Sequence, residues 1–95
     1  MSTEEKIIKT CNEIQQLLLY KNKKYGDSAI NPIRIVSKSS NIEQILVRID
    51  DKLNRISQGN NLIHDDEDVI MDLIGYFILL KVAIDNDAEA SYNVS

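Results

Sequence analysis

The sequence is poor in the residues that most often carry redox, zinc or stacking chemistry. It contains no tryptophan, and only one phenylalanine, one cysteine and one histidine occur among 95 residues. The single Cys11 cannot form an internal disulfide, and the single His64 excludes a zinc site built from several histidines. The four tyrosines offer little aromatic surface, which argues against the base-stacking platform of a single-strand nucleic-acid binder.

Long apolar runs and several catalytic motifs are also missing. No stretch approaches the roughly 20 apolar residues that a membrane-spanning helix needs. The polar, acidic start Met-Ser-Thr-Glu-Glu-Lys is unlike a signal peptide. There is no glycine-rich phosphate loop, no Cys-x-x-Cys pair and no Ser/His/Asp spacing. We therefore expect a cytoplasmic protein without membrane contact, whose chemistry, if it has any, uses carboxylates and a metal.

Composition and length fit one small globular domain. The chain is 43% hydrophobic and 27% charged, which is typical of a folded rather than a disordered protein. A net charge of −4 argues against general binding to duplex DNA or to anionic membranes. A chain this short buries only about 60 to 65% of its unfolded surface, so self-association would add stability. We expect a homo-oligomer.

Apolar residues recur at helical spacing in three segments, which predicts an all-α fold. We predict helices near residues 3–22, 41–58 and 65–85, with a long ordered loop after the first. Cys11 lies within the apolar stripe of the first helix, and we interpret it as a core residue. Residues 1–84 should form a small three-helix bundle, and residues 85–95 read as a polar, frayed tail.

The third predicted helix is apolar on more than one face, so it cannot direct all of its large side chains into a three-helix core. We predict that an oligomer forms through this helix. Ile78 is an outward-facing position at which a charge should dissociate the assembly.

A basic segment follows the first helix. Residues 21–40 hold five of the 11 basic residues, and Gly26 and the Asn31-Pro32 step prevent one long helix there. Such a loop could close over phosphates, with Lys24 and Tyr25 among its candidate ligand-binding residues. The alternative is a solvated connector that carries ordinary surface lysines. The length of the segment favours a functional loop.

Four carboxylates on the second and third predicted helices are candidate magnesium ligands and catalytic groups. Helical spacing places Glu43 with Asp50, and Asp68 with Asp72, so two antiparallel helices could bring all four together. Two of them also have a structural alternative. Glu43 has capping-box spacing from Ser40, and Asp72 could pair with a cation.

The cations considered for Asp72 are Arg48 and Arg55. Arg48, Lys52 and Arg55 form a basic edge beside the acidic face of the second helix. Ahead of the third helix, His64 is interpreted as a residue at the helix start. The acids at positions 65–67 are interpreted as favourable charges in the first turn.

Three blocks together resemble a known family. They are Lys-Asn-Lys-Lys-Tyr-Gly-Asp-Ser at 21–28, Val-Arg-Ile-Asp-Asp-Lys-Leu-Asn-Arg-Ile at 47–56, and Glu-Asp-Val-Ile-Met-Asp-Leu-Ile-Gly-Tyr at 67–76. In this order they resemble the phage and bacterial family called nucleotide modification associated domain 1. That family is similar to the all-α MazG-like and dimeric dUTPase nucleotide pyrophosphohydrolases. The likeness covers residues 13–83.

The resemblance implies a helical, oligomeric nucleotide-handling protein in a bacterial or phage-infected cytoplasm. MazG-like enzymes hold magnesium with Glu-x-x-Glu on one helix and Glu-x-x-Asp on the next. This chain departs from that pattern, since Val47 stands between Glu43 and Asp50 and the next helix offers Asp-x-x-x-Asp. The ligand set is therefore altered. The positions that match the family's blocks are Asp51, Lys52, Arg55, Asp68, Asp72 and Tyr76.

Three functions follow as hypotheses. The first is a Mg²⁺-dependent pyrophosphohydrolase in which Glu43, Asp50, Asp68 and Asp72 bind metal while basic residues hold the substrate's phosphates. The second is a non-catalytic sponge that sequesters a linear or cyclic signalling nucleotide to blunt host antiphage defence. In it the basic residues and Tyr25 or Tyr76 bind the ligand without metal. The third is a helical adaptor with no small ligand.

Overall fold

A computed structural model describes residues 1–32, 34–59, 63–64 and 67–94. Within these ranges the chain forms helices α1 (Thr3–Lys24), α2 (Asn41–Ser57) and α3 (Val69–Val94). Two short strands, β1 (Ile63–His64) and β2 (Glu67–Asp68), pair antiparallel just before α3. The predicted all-α bundle of three main helices is confirmed. No helix within the described ranges has the length and hydrophobicity to cross a membrane.

Serine residues fix the first turns of α1 and α2. The Ser2 hydroxyl accepts a hydrogen bond from the Glu5 amide at 3.1 Å, and the Ser40 hydroxyl accepts one from the Glu43 amide at 3.0 Å. Each bond satisfies an amide that has no partner within the helix. Both helices begin at the predicted residues, and their ends lie within two residues of the predicted ones.

The predicted bounds of the third helix were wrong at both ends. The helix begins at Val69 rather than 65, because the chain first forms the β1–β2 bridge and Asp68 then caps the helix. His64 therefore lies in β1 and not at the helix start, while residues 65 and 66 lie outside the described part. At the other end α3 continues to Val94, because no glycine or proline follows Gly75 to stop it. Residues 85–94 of the predicted frayed tail are thus helical.

The core forms where α2 packs on α3. Ile45 and Ile49 of α2 are buried against Ala83 of α3 and against Ile30 from the loop after α1. Ile45 is the most completely enclosed of these side chains, at 1% exposure. Partly buried residues complete the cluster, namely Ile42, Leu46, Leu73, Tyr76, Leu79 and Leu80. Apolar residues at helical spacing in this segment therefore form its buried face at Ile45 and Ile49, whereas Leu53 of the same repeat is 47% exposed.

Only the second half of α1 rests on the rest of the molecule. Ile14 is its one buried residue, and Ile14 and Leu18 lie over Gly75 of α3. Cys11 is exposed, as are Ile7 and Ile8. The prediction of a core Cys11 was wrong, because helical spacing identifies an apolar face but does not show how far a neighbouring helix extends beneath it.

The loop after α1 is ordered by its own polar groups. The Asn41 side-chain amide donates to the Ile30 carbonyl at 2.7 Å. The Arg34 guanidinium donates to the Ser39 carbonyl and to the Asn41 side-chain oxygen. These bonds attach the loop to the start of α2 while Ile30 enters the core. Arg34, one of the basic residues of this segment, is therefore engaged within the loop.

Candidate functional site

A cavity of about 370 Å³ lies between the second half of α1, the following loop, α2 and α3. Its volume falls in the range of small-molecule sites, which are about 300 to 1,000 Å³. Gly75 contributes to its wall because the absent side chain leaves room beside Leu18. The polar and aromatic residues that line it are Lys21, Asn22, Tyr25, Ser28, Arg48, Asp72 and Tyr76.

Two cations face this cavity from different helices. Lys21 comes from α1 and Arg48 from α2, and neither forms an ion pair or side-chain hydrogen bond with another described residue. Arg48 was among the predicted ligand-binding residues. Lys21 was counted only as part of the basic segment. Its position three residues after Leu18 and seven after Ile14 places it on the α1 face that meets α3, and that spacing could have identified it.

Two tyrosines supply the aromatic part of the wall. Tyr25 ends α1, and its amide donates to the Lys21 carbonyl at 2.9 Å, which fixes its backbone beside the cavity. Tyr76 reaches the cavity from α3 and is half-buried. Lys24 lies outside the lining, with its ammonium 5.4 Å from the centre of the Tyr25 ring and 5.9 Å from that of Tyr20. The structure therefore brings Tyr25 and Tyr76 to one site but does not place Lys24 there.

Asp72 lies in the cavity wall and is neutralised by Lys52. The Lys52 ammonium is 3.1 Å from one Asp72 carboxylate oxygen, and the side chains are 13% and 23% exposed respectively. The expected partners, Arg48 and Arg55, were wrong. Arg55 instead pairs along its own helix with Asp51 at 3.3 Å, and neither of these two residues lines the cavity. The long stem of Lys52 allows its charge to reach α3 from α2.

The four carboxylates proposed as magnesium ligands do not meet within one chain. Asp68 caps α3, with its carboxylate accepting from the Met71 amide at 3.0 Å. Glu43 and Asp50 are exposed on α2, and Asp72 pairs with Lys52. Among the described residues, no three His, Cys, Asp or Glu side chains are grouped as a metal site requires. Within the described part of the chain, the four predicted ligands therefore do not come together as one metal site.

Capping explains two of these outcomes. Spacing of four residues does place Asp68 and Asp72 on one side of a helix, but Asp68 stands at the end, where its oxygen is used by a backbone amide. The Glu43 amide likewise serves the cap of α2, which confirms the Ser40 half of the predicted capping box.

Comparison of the chain with family models, with curated proteins and with solved structures finds no match. The resemblance to the nucleotide modification associated domain therefore stays a prediction.

Chemically, the cavity combines positive charge that has no carboxylate partner among the described residues with apolar and aromatic surface. Because Lys52 neutralises Asp72, Lys21 and Arg48 set the sign of the lining. Lys21 and Arg48 both line this space, and an ammonium together with a guanidinium suits the oxygens of a phosphate or carboxylate. Tyr25 and Tyr76 line the same space and supply aromatic surface that suits an apolar or heteroaromatic group. The arrangement suits a compact ligand that is anionic at one end and flat at the other.

Proposed function

We propose that the cavity between α1, α2 and α3 binds a nucleotide. The observation that carries this proposal is that Lys21, Arg48, Tyr25 and Tyr76 line one cavity of about 370 Å³. Lys21 and Arg48 lack carboxylate partners among the described residues. The two cations would hold the phosphate, and a tyrosine ring would pack on the base. The remaining lining hydroxyl and amide, from Ser28 and Asn22, can bond to sugar or base.

The proposal is for binding rather than hydrolysis. Of the four predicted catalytic carboxylates only Asp72 lines the cavity, and Lys52 already neutralises it. Binding without turnover corresponds to the second hypothesis, a non-catalytic protein that sequesters a nucleotide. In this role the cation pair and the tyrosines matter, whereas magnesium does not.

The experiment incubates purified protein with linear and cyclic nucleotides, from ATP and GTP to 3′,5′-cyclic AMP and cyclic di-GMP, with Mg²⁺ or with a chelator. The free fraction and the fraction released by heating are both analysed by chromatography. We expect depletion of at least one nucleotide from the free fraction, insensitivity to the chelator, and recovery of the same nucleotide after heating. Depletion of no nucleotide contradicts the proposal.

A matched pair of variants locates the site. Arg48→Gln removes one lining charge and should weaken binding about 10- to 100-fold, which corresponds to the roughly 1.5 to 3 kcal/mol of a charged hydrogen bond. Lys23→Gln makes the same charge change on α1 outside the lining and should leave affinity unchanged. Equal losses in both variants would indicate a general charge effect and not a site.

The same samples test the enzyme hypothesis. Magnesium-dependent formation of monophosphate and pyrophosphate, lost in Asp72→Asn, would replace sequestration with pyrophosphohydrolysis. Ligand recovered intact with magnesium present supports binding alone.

A further inference from the structure

Among the described residues, exposed apolar side chains form one patch on α1 and another on α3. The first, which we call the α1 patch, consists of Ile7, Ile8 and Cys11, and the two isoleucines are 59% and 54% exposed. The second, which we call the outer α3 face, lies away from α2. It consists of Ile70, Phe77, Ile78 and Ile84, which are 39 to 52% exposed. The residues of α3 that meet α2 are others, namely Leu73, Tyr76, Leu80 and Ala83.

The single chain also exposes more surface than its mass explains. Its accessible area is 7403 Å² for 10.8 kDa, whereas a folded monomer of that mass exposes about 5,500 Å². The excess of about 1,900 Å² is larger than the roughly 800 Å² that each partner buries in a standard interface. The radius of gyration is 15.5 Å, against about 12 Å for a compact chain of this length. A second chain has ample area to cover.

The α1 patch indicates what kind of surface covers it. Ile7 precedes Ile14 by seven residues and Cys11 precedes Ile14 by three, so they continue the α1 face that packs on α3 through Ile14 and Leu18. Ile7, Ile8 and Cys11 of this face are exposed, and no described element covers them. Its complement is therefore another apolar helix surface, and the described part of the chain presents one, the outer α3 face.

We propose that two copies associate so that the α1 patch of each packs on the outer α3 face of the other. A two-fold axis makes this exchange reciprocal and closes the assembly at a dimer. One ion pair lies beside each surface, since Lys9 pairs with Glu13 at 2.7 Å and Lys81 with Asp85 at 2.5 Å. The sequence predicted association through α3, and the structure adds α1 as its counterpart.

The first test is the mass in solution by light scattering at micromolar concentration. Wild-type protein should have twice the chain mass, and both Ile7→Glu and Ile78→Glu should reduce it to one. Val36→Glu, at a loop residue that is 90% exposed, adds the same charge elsewhere and should leave the dimer intact. Circular dichroism should show native helicity in all three variants, because none of these side chains is buried. A wild-type monomer, or a dimer that survives either charge, overturns the proposal.

Cross-linking tests which surfaces meet. Cys11 is the only cysteine, so Ile78→Cys should allow a disulfide between the α1 patch of one copy and the outer α3 face of the other. Mild oxidation should then give a covalent dimer in Ile78→Cys but not in wild type. A dimer of similar yield in wild type would show α1 against α1, and one that persists in Cys11→Ser with Ile78→Cys would show α3 against α3. Either result overturns the arrangement.

Discussion

Substitutions at Gly75 should distinguish the effect of side-chain packing on stability from the effect of helix propensity. Its place in α3 allows Leu18 and Ile14 to lie close, since a Cβ added there would be 3.2 Å from the Leu18 Cδ2 and 3.6 Å from the Ile14 Cδ1. Gly75→Ala gains about 1 kcal/mol of helix propensity but requires Leu18 to move by a few tenths of an ångström. Leu18 borders the cavity and has space to move. We expect unfolding free energy within about 1 kcal/mol of wild type.

Gly75→Val should behave differently, because its two additional methyl groups must displace α1 and not merely one side-chain tip. Overpacking of this kind costs about 1 to 3 kcal/mol. Urea unfolding followed by circular dichroism, at one protein concentration, gives the comparison. Ala88→Val, at an exposed position of the same helix, measures the propensity difference between alanine and valine alone. A Gly75→Val variant that is at least as stable as wild type would refute the close crossing of α1 over α3.

Three further changes probe the core, a cap and the ion pair. Ile45→Ala should lower the free energy of unfolding by about 2 to 5 kcal/mol. Val47→Ala, at an exposed site on another face of α2, should change it by less than about 0.5 kcal/mol. Ser40→Ala should cost about 1 kcal/mol, and equal stability in urea would contradict the capping bond. A double-mutant cycle of Lys52→Met and Asp72→Asn should give a coupling energy on the order of 1 kcal/mol, and a value near zero would show that the pair is not formed.

The sequence predicted best where one physical effect dominates. Ile45 and Ile49 are four residues apart in an apolar repeat, and both are buried because burial of that stripe outweighs every local preference. Ser40 was identified as a cap for the same reason, since its oxygen has a backbone amide within reach in any helix that begins there.

Prediction failed where the outcome depends on a second element. Cys11 belongs to an apolar face, but its burial depends on the extent of α3, which no local pattern contains. An arginine was predicted as the partner of Asp72, whereas the structure pairs Asp72 with Lys52, a contact between two helices that spacing along one helix does not determine. Asp68 shows the reverse case, in which a local cap outweighs a long-range arrangement inferred from spacing.

The bonds that attach the loop after α1 to α2 have an energetic consequence for any ligand. Ser28 and Ala29, which line the cavity, lie just before Ile30, whose carbonyl is held by Asn41 and whose side chain is buried. This wall is thus formed before a ligand arrives. When a loop becomes ordered only on binding, the lost conformational entropy makes association less favourable. Here the loop is already ordered in the folded chain, so ligand binding does not carry that cost. Affinity should therefore respond mainly to the lining side chains.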